Sequence, residues 1–254
     1  MEKLYKTIEL LPVHVHDTRA ESGAAAAAEA AGIIRDAIAR NGCANVIFAA
    51  APSQNDLLEA LLKEDIDWSK VRGFHQDEYI GLPADHPAGF GNFLRRAIFD
   101  KVPFLELHYM ACKPEDAEAM CQQYSALLEK YPPDLIFLGV GENGHLAFND
   151  PAVADFHDPK RVKIVELDPV CRMQQVNDGC FAAVDEVPHR ALSLTMSQII
   201  AVPRAVAVVP TVRKAAAIAA ALNGPISESC PASILRRCQG ASLYLDADSA
   251  SQAF

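Results

Sequence analysis

The chain contains no C-x-x-C pair, no apolar run long enough to span a membrane and no surplus of positive charge. Each absence excludes a class of protein. The seven cysteines, Cys43, Cys112, Cys121, Cys171, Cys180, Cys230 and Cys238, are odd in number and scattered. They suggest neither a disulfide framework nor a zinc ribbon, and reduced thiols in a cytoplasmic protein are expected. A bilayer span needs about 20 consecutive apolar residues. The alanine-rich stretch 24–31 is interrupted by Glu29 and reads as a helix, and residues 1–13 lack the apolar core of a signal peptide. Lys and Arg number 23 against 33 Asp and Glu, a formal net charge of −10. Such a surface repels nucleic acid and anionic membranes at long range, so neither is expected as a partner. An anionic small molecule stays open, provided one spot in its pocket is positive. Self-association into a homo-oligomer also stays open.

Half of the 254 residues are apolar, which suits one globular domain over residues 1–254. A helical pattern covers 19–40 and stops at Asn41-Gly42. Residues 46–50 form a short apolar run without alternation, as a strand buried on both faces does. Pro52-Ser53 opens a second helix with Leu57, Leu58, Leu61 and Leu62 on one side, and Ser53 and Asp56 have capping-box spacing. Strands are expected at 71–76, 135–138, 205–209 and 241–245, and helices at 114–131 and 212–222. Strands alternating with helices predict an α/β fold: a doubly wound, mostly parallel, Rossmann-like sheet with helices on both faces. Ligands of such sheets lie outside the C-terminal strand ends. That rule selects residues 51–54, 77–79, 141–150 and 210–214.

Candidate chemistry falls in those four segments. The string Gly-Val-Gly-Glu-Asn-Gly-His-Leu-Ala-Phe-Asn-Asp-Pro at 139–151 gives close backbone approach through its glycines. His145 follows them, histidine being the side chain whose unperturbed pKa suits proton transfer near neutrality, and Asp150 could orient it; a tight turn with a packed histidine is the plain alternative. Asp77-Glu78-Tyr79 follows a strand directly, so its two carboxylates point to opposite sides. One of them can act as base for a carbon-bound proton, against the alternative of a solvated acidic turn. Arg213 and Lys214 sit in the first turn of a helix, where cations oppose the helix dipole unless an anion binds there. Ser53 offers a hydroxyl and free N–H groups for the same purpose. His14-x-His16 could turn two imidazoles to one side of a strand, but a third metal ligand is not evident. His75 reads as a residue of the sheet or of a pocket wall. The cysteines, Cys180 included, read as small buried hydrophobes.

Taken together, these residues resemble the glucosamine-6-phosphate deaminase (isomerase) family. The resemblance is most specific in Phe74-His75-Gln76-Asp77-Glu78-Tyr79-Ile80-Gly81-Leu82-Pro83, with His86-Pro87, and in the 139–151 string. It is weaker over most of the remaining chain. The related 6-phosphogluconolactonases share the fold, but Tyr79 and Phe148-Asn149-Asp150 are similar to the deaminase branch. The resemblance implies that Asp77 moves a proton between C2 and C1 of an open-chain sugar. It implies that His145 assists ring opening, with Asp150 where the family has a supporting glutamate and Asn143 in the same relay. Lys214, Ser53 and the neighbouring Gln54 would hold the 6-phosphate, and Gly144 would lie against the substrate. No metal or redox cofactor is implied.

Three departures accompany the resemblance. The phosphate loop reads Ala49-Ala50-Ala51-Pro52-Ser53-Gln54 instead of a run rich in Gly, Ser and Thr. An arginine expected near Asn177-Asp178-Gly179 is missing, and Arg172 is the nearby substitute. Asp150 is one methylene shorter than glutamate, so its reach to His145 calls for a water or a shifted backbone. The expected reaction turns glucosamine 6-phosphate and water into fructose 6-phosphate and ammonia. The competing expectations are a hydrolase of a phosphorylated sugar lactone and a sugar-phosphate sensor without turnover.

Overall fold

A computed structural model describes residues 2–177 and 179–254. The chain opens with a hairpin of β1 (Glu2–Ile8) and β2 (Leu11–His16), followed by α1 (Arg19–Asn41) and β3 (Ala44–Phe48). Next come a 3-10 turn (Pro52–Gln54), α2 (Asn55–Leu61), β4 (Val71–His75), β5 (Asp77–Tyr79) and α3 (Phe90–Leu94). A π-helical turn (Arg95–Phe99) extends α3 and leads to β6 (Glu106–His108), α4 (Ala117–Lys130) and β7 (Leu135–Leu138). The second half holds β8 (Val162–Glu166), α5 (Pro169–Asn177), β9 (Arg190–Leu194), α6 (Met196–Ile200) and β10 (Ala205–Val209). A 3-10 turn (Val212–Lys214) then enters α7 (Ala215–Asn223), and β11 (Ala241–Asp246) and α8 (Ala247–Ala250) follow.

Eight strands form the main sheet in the order β1-β2-β11-β10-β7-β3-β4-β6. All its pairings are parallel except the β1–β2 hairpin. The expected doubly wound parallel sheet is therefore present, with an antiparallel edge added. Successive residues of a strand serve opposite faces: Val46 and Phe48 pack with α1 and α2, while Ile47 packs with α4 and α7. Burial on both sides is why these strands read as unbroken apolar runs.

The expected helix at 19–40 is α1. Thr18 caps it by accepting from Glu21 N, and Gly42 ends it with a left-handed φ of 78°. The expected capping box of Ser53 and Asp56 does not form. No side chain caps the 3-10 turn or α2, because Asp56 is bound by Arg19 of α1 at 2.5 Å. The strand expected at 71–76 is β4, which ends one residue earlier at His75. The chain turns after His75, and 77–79 join β9 and β8 in a separate antiparallel sheet, β5-β9-β8.

Candidate active site

The four segments at the C-terminal strand ends line one cleft of about 620 Å³, a volume suited to a small metabolite. Ser53, Asp77, His145 and Lys214 are all on its wall, although they lie far apart along the chain.

The second sheet sorts the two adjacent carboxylates. Asp77 faces the cleft and is buried, and its Oδ1 has no hydrogen-bond partner. Burial, reinforced by the neighbouring Glu78 charge, holds its carboxyl well above the usual range. Glu78 points the other way. It accepts from the N–H groups of Tyr79, Phe90 and Gly91 at 2.9, 3.0 and 2.8 Å. Burial raises the Glu78 carboxyl too, while those three donors restrain the rise. The pleat thus gives one carboxylate to the cleft and the other to the start of α3.

His145 is held by a short relay. Its Nδ1 lies 2.9 Å from Asp150 Oδ1 and 2.8 Å from Asn143 Oδ1. Both partners are acceptors, which places the ring proton on Nδ1 and leaves a lone pair on Nε2. Asn143 Nδ2 donates to the same Asp150 oxygen at 2.8 Å. Burial would push the Asp150 carboxyl up, but the donors His145 and Asn143 hold it below its ordinary value. The expected need for a water or a shifted backbone does not arise, because Asp150 reaches His145 directly. The loop makes this reach by folding back tightly. Gly141 N donates to His145 O and Gly144 N to Gly141 O, each at 3.0 Å, and Ala147 takes a left-handed φ of 50°. A Cβ on Gly141 would sit 2.1 Å from His145 Cε1, so only glycine leaves room for the ring.

The other expected residues divide. Lys214 is buried on the cleft wall at the entry to α7. Gln54 is buried behind Ser53, donating to Val208 O at 3.0 Å and to Ser53 Oγ at 3.3 Å, so it ties the turn to β10. Gly144 is a turn residue with φ 85°, packed on Cys230 and set back from the cleft wall. Arg172 is turned away from the cleft. Its guanidinium is spent on the carbonyls of Val184 at 2.6 Å and Val187 at 3.0 Å, where it fixes the loop after α5. Of the segment where an arginine was expected, Gly179 lines the cleft and Asp178 lies outside the described residues.

Some wall residues were not among the site candidates read from the sequence. Arg19, at the start of α1, reaches the cleft because α1 crosses α2. Thr211 has φ 83°, an outlier for a β-branched residue, and its N–H is bound by both Asp246 oxygens at 3.1 and 3.0 Å. Cys180, read as a packed hydrophobe, is half-buried on the wall.

His75 belongs to the sheet: it is fully buried, and its Nε2 accepts from Met110 N at 2.6 Å. His14 and His16 stack on Tyr244, and His14 Nδ1 pairs with Glu2 at 2.7 Å. Among the described residues the set of side chains spaced to hold a metal is His145, Asp150 and Cys171. That set coincides with the relay, where His145 Nδ1 already serves Asp150. Burial also pushes the Cys171 thiol far above its ordinary value, away from the thiolate that binds metals. Among the described residues no helix is long and apolar enough to cross a membrane.

A sequence model of glucosamine-6-phosphate isomerases/6-phosphogluconolactonase matches residues 17–244. A glucosamine-6-phosphate deaminase of Streptococcus pneumoniae is 30% identical over 219 residues, covering 86% of this chain and 91% of that protein. A Streptococcus equi deaminase is 28% identical over 220 residues, covering 87% and 92%. The solved structure of a monomeric glucosamine-6-phosphate deaminase superposes with a TM-score of 0.87 at 26% identity, over 94% of this chain and 99% of that one. A 6-phosphogluconolactonase from Trypanosoma brucei shares the fold, with a TM-score of 0.78 at 17% identity over 99% and 100% of the two chains.

Proposed function

The chain belongs to the family of glucosamine-6-phosphate isomerases and 6-phosphogluconolactonases, and from that membership we propose that it deaminates glucosamine 6-phosphate or an amino-sugar phosphate close to it. The products are fructose 6-phosphate and ammonia. One observation carries this reading: a buried, unpartnered carboxylate oxygen of Asp77 and the His145-Asn143-Asp150 relay open onto the same cleft.

Each residue has a part. His145, with its Nε2 lone pair, takes the O1–H proton and passes it to the ring oxygen as the C1–O5 bond breaks, and Asp150 with Asn143 fixes its orientation. Asp77 removes the proton from C2 of the open-chain sugar and returns it to C1. Its raised pKa makes it a stronger base than an ordinary aspartate. The step leaves an imine at C2, and water adds there and expels ammonia. Lys214 and Ser53 hold the phosphate, with Gln54 and Gly144 supporting the two loops, and this anchoring orients a flexible chain. The steps are proton transfers and the addition of water, so they call on no redox group. A phosphorylated substrate and seven free cysteines suit a single cytoplasmic domain.

The test is ammonia release from a panel of amino-sugar 6-phosphates, run beside a lactone-opening assay on 6-phosphogluconolactone. Asp77→Asn is expected to lower ammonia release by about 10²-fold or more while phosphate binding persists. Undiminished turnover in that variant, or lactone opening without ammonia release in the wild type, refutes the assignment.

A further inference from the structure

The turn expected to cradle phosphate is short of main-chain donors. Pro52 has no N–H. Gln54 N donates to Ala51 O at 2.9 Å and Asn55 N to Pro52 O. Of the amides at 52–55, only that of Ser53 remains for a ligand, together with the Ser53 hydroxyl. A dianion needs more donors than these.

Arg19 stands at that turn. Its Nε donates to Asp56 Oδ2 at 2.5 Å and its Nη2 to Pro52 O at 3.2 Å, and the residue lines the cleft. These bonds use two of the five donors of a guanidinium, and the others have no partner among the described residues. The delivery is built into the helix crossing. Gly23 lies one turn further along α1, on the same face as Arg19. A Cβ there would come within 2.8 Å of Asp56 C and Leu57 N. The missing side chain lets α1 lie directly on the first turn of α2, which brings Arg19 over Pro52. A cation at the first position of a helix also opposes the helix dipole, a placement that an anion in the cleft would favour.

We propose that Arg19 is a phosphate-binding residue of this cleft, a guanidinium clamped by Asp56 and the Pro52 carbonyl that replaces main-chain amides. The proposal rests on the sugar-phosphate reading above and adds to it how the anion is held.

The test uses the full chain and inorganic phosphate as the probe, titrated by calorimetry, with thermal melts to confirm folding. Arg19→Gln is expected to weaken phosphate binding about tenfold and to lower kcat/KM for glucosamine 6-phosphate at least as much. Asp56→Asn keeps an acceptor for Nε but removes the neutralising charge, so it should bind phosphate at least as tightly as the wild type. Wild-type phosphate affinity in Arg19→Gln overturns the proposal. So does an equal loss in Asp56→Asn, which would reduce the pair to a helix–helix tie. The titration requires no turnover: if the wild type releases no ammonia yet Arg19→Gln still loses phosphate, the reaction assignment fails and the clamp stands.

Discussion

His75 should make this protein lose stability in mild acid, by an amount that can be worked out. Its ring is fully buried between Tyr109 and Tyr124 at the end of β4. Burial lowers its pKa from 6.5 to about 3. The Met110 N–H aimed at Nε2 acts in the same direction, because a proton added there would oppose another donor. The folded pKa lies below the unfolded one. The unfolded chain therefore takes up a proton as pH falls through 6.5, while the folded chain takes none until about pH 3. Stability is at its full value above pH 6.5 and declines across that interval. At pH 5, one and a half units below 6.5, the loss is roughly 2 kcal/mol at 1.36 kcal/mol per unit. The assay is urea unfolding at pH 7.5 and pH 5.0 for the wild type and His75→Gln. The glutamine can still accept from Met110 N but does not titrate. All other titrations are common to both proteins, so the variant should lose about 2 kcal/mol less than the wild type between the two pH values. Equal losses would falsify the reasoning, as would a native-state imidazole resonance of His75 that titrates near 6.5.

Three further outcomes are expected. Asp77→Asn should raise the melting temperature at neutral pH while abolishing ammonia release: a carboxyl whose folded pKa is raised costs stability once the pH exceeds its unfolded value, and asparagine carries no charge. An unchanged or lower melting temperature would show that Asp77 is not strained by its burial. Gly141→Ala should displace the His145 ring, which lies 2.1 Å from the new Cβ, and reduce turnover far more than stability; activity near wild type counts against the relay. The Tyr124 hydroxyl accepts from His75 N at 3.0 Å and donates to His75 O at 2.8 Å, so Tyr124→Phe should cost about 1–3 kcal/mol in urea unfolding.

Much of the frame was legible because two-sided burial and helical periodicity act locally. The run Val46-Ile47-Phe48 reports a central parallel strand without knowledge of its neighbours. The rule that ligands gather at strand ends then located the cleft before any distance was known. What escaped was long-range. The β1–β2 hairpin is defined by its pairing to β11, and the short β5 by its pairing to β9 across more than a hundred residues. The failure of the capping box at Ser53 had the same origin: Asp56 satisfies a local pattern, but Arg19, brought by a helix crossing, binds it instead. Arg172 was misplaced because spacing along the chain does not reveal that Val184 and Val187 carbonyls would bind its guanidinium. Asp150 reached His145 without the longer side chain because the Gly141–Gly144 turn shortened the path, a contraction that residue size alone does not announce.

The backbone at Thr211 has a consequence for how the molecule is governed. Asp246 holds that twisted peptide with both oxygens, and the same carboxylate accepts from Ser249 N to begin α8. The turn that carries Lys214 is thus tied to the last strand and the last helix. With Lys214 in its proposed role as phosphate holder, α8 is the keystone of that subsite, and a lesion near residue 249 is expected to be felt in the affinity for substrate before it is felt in the core.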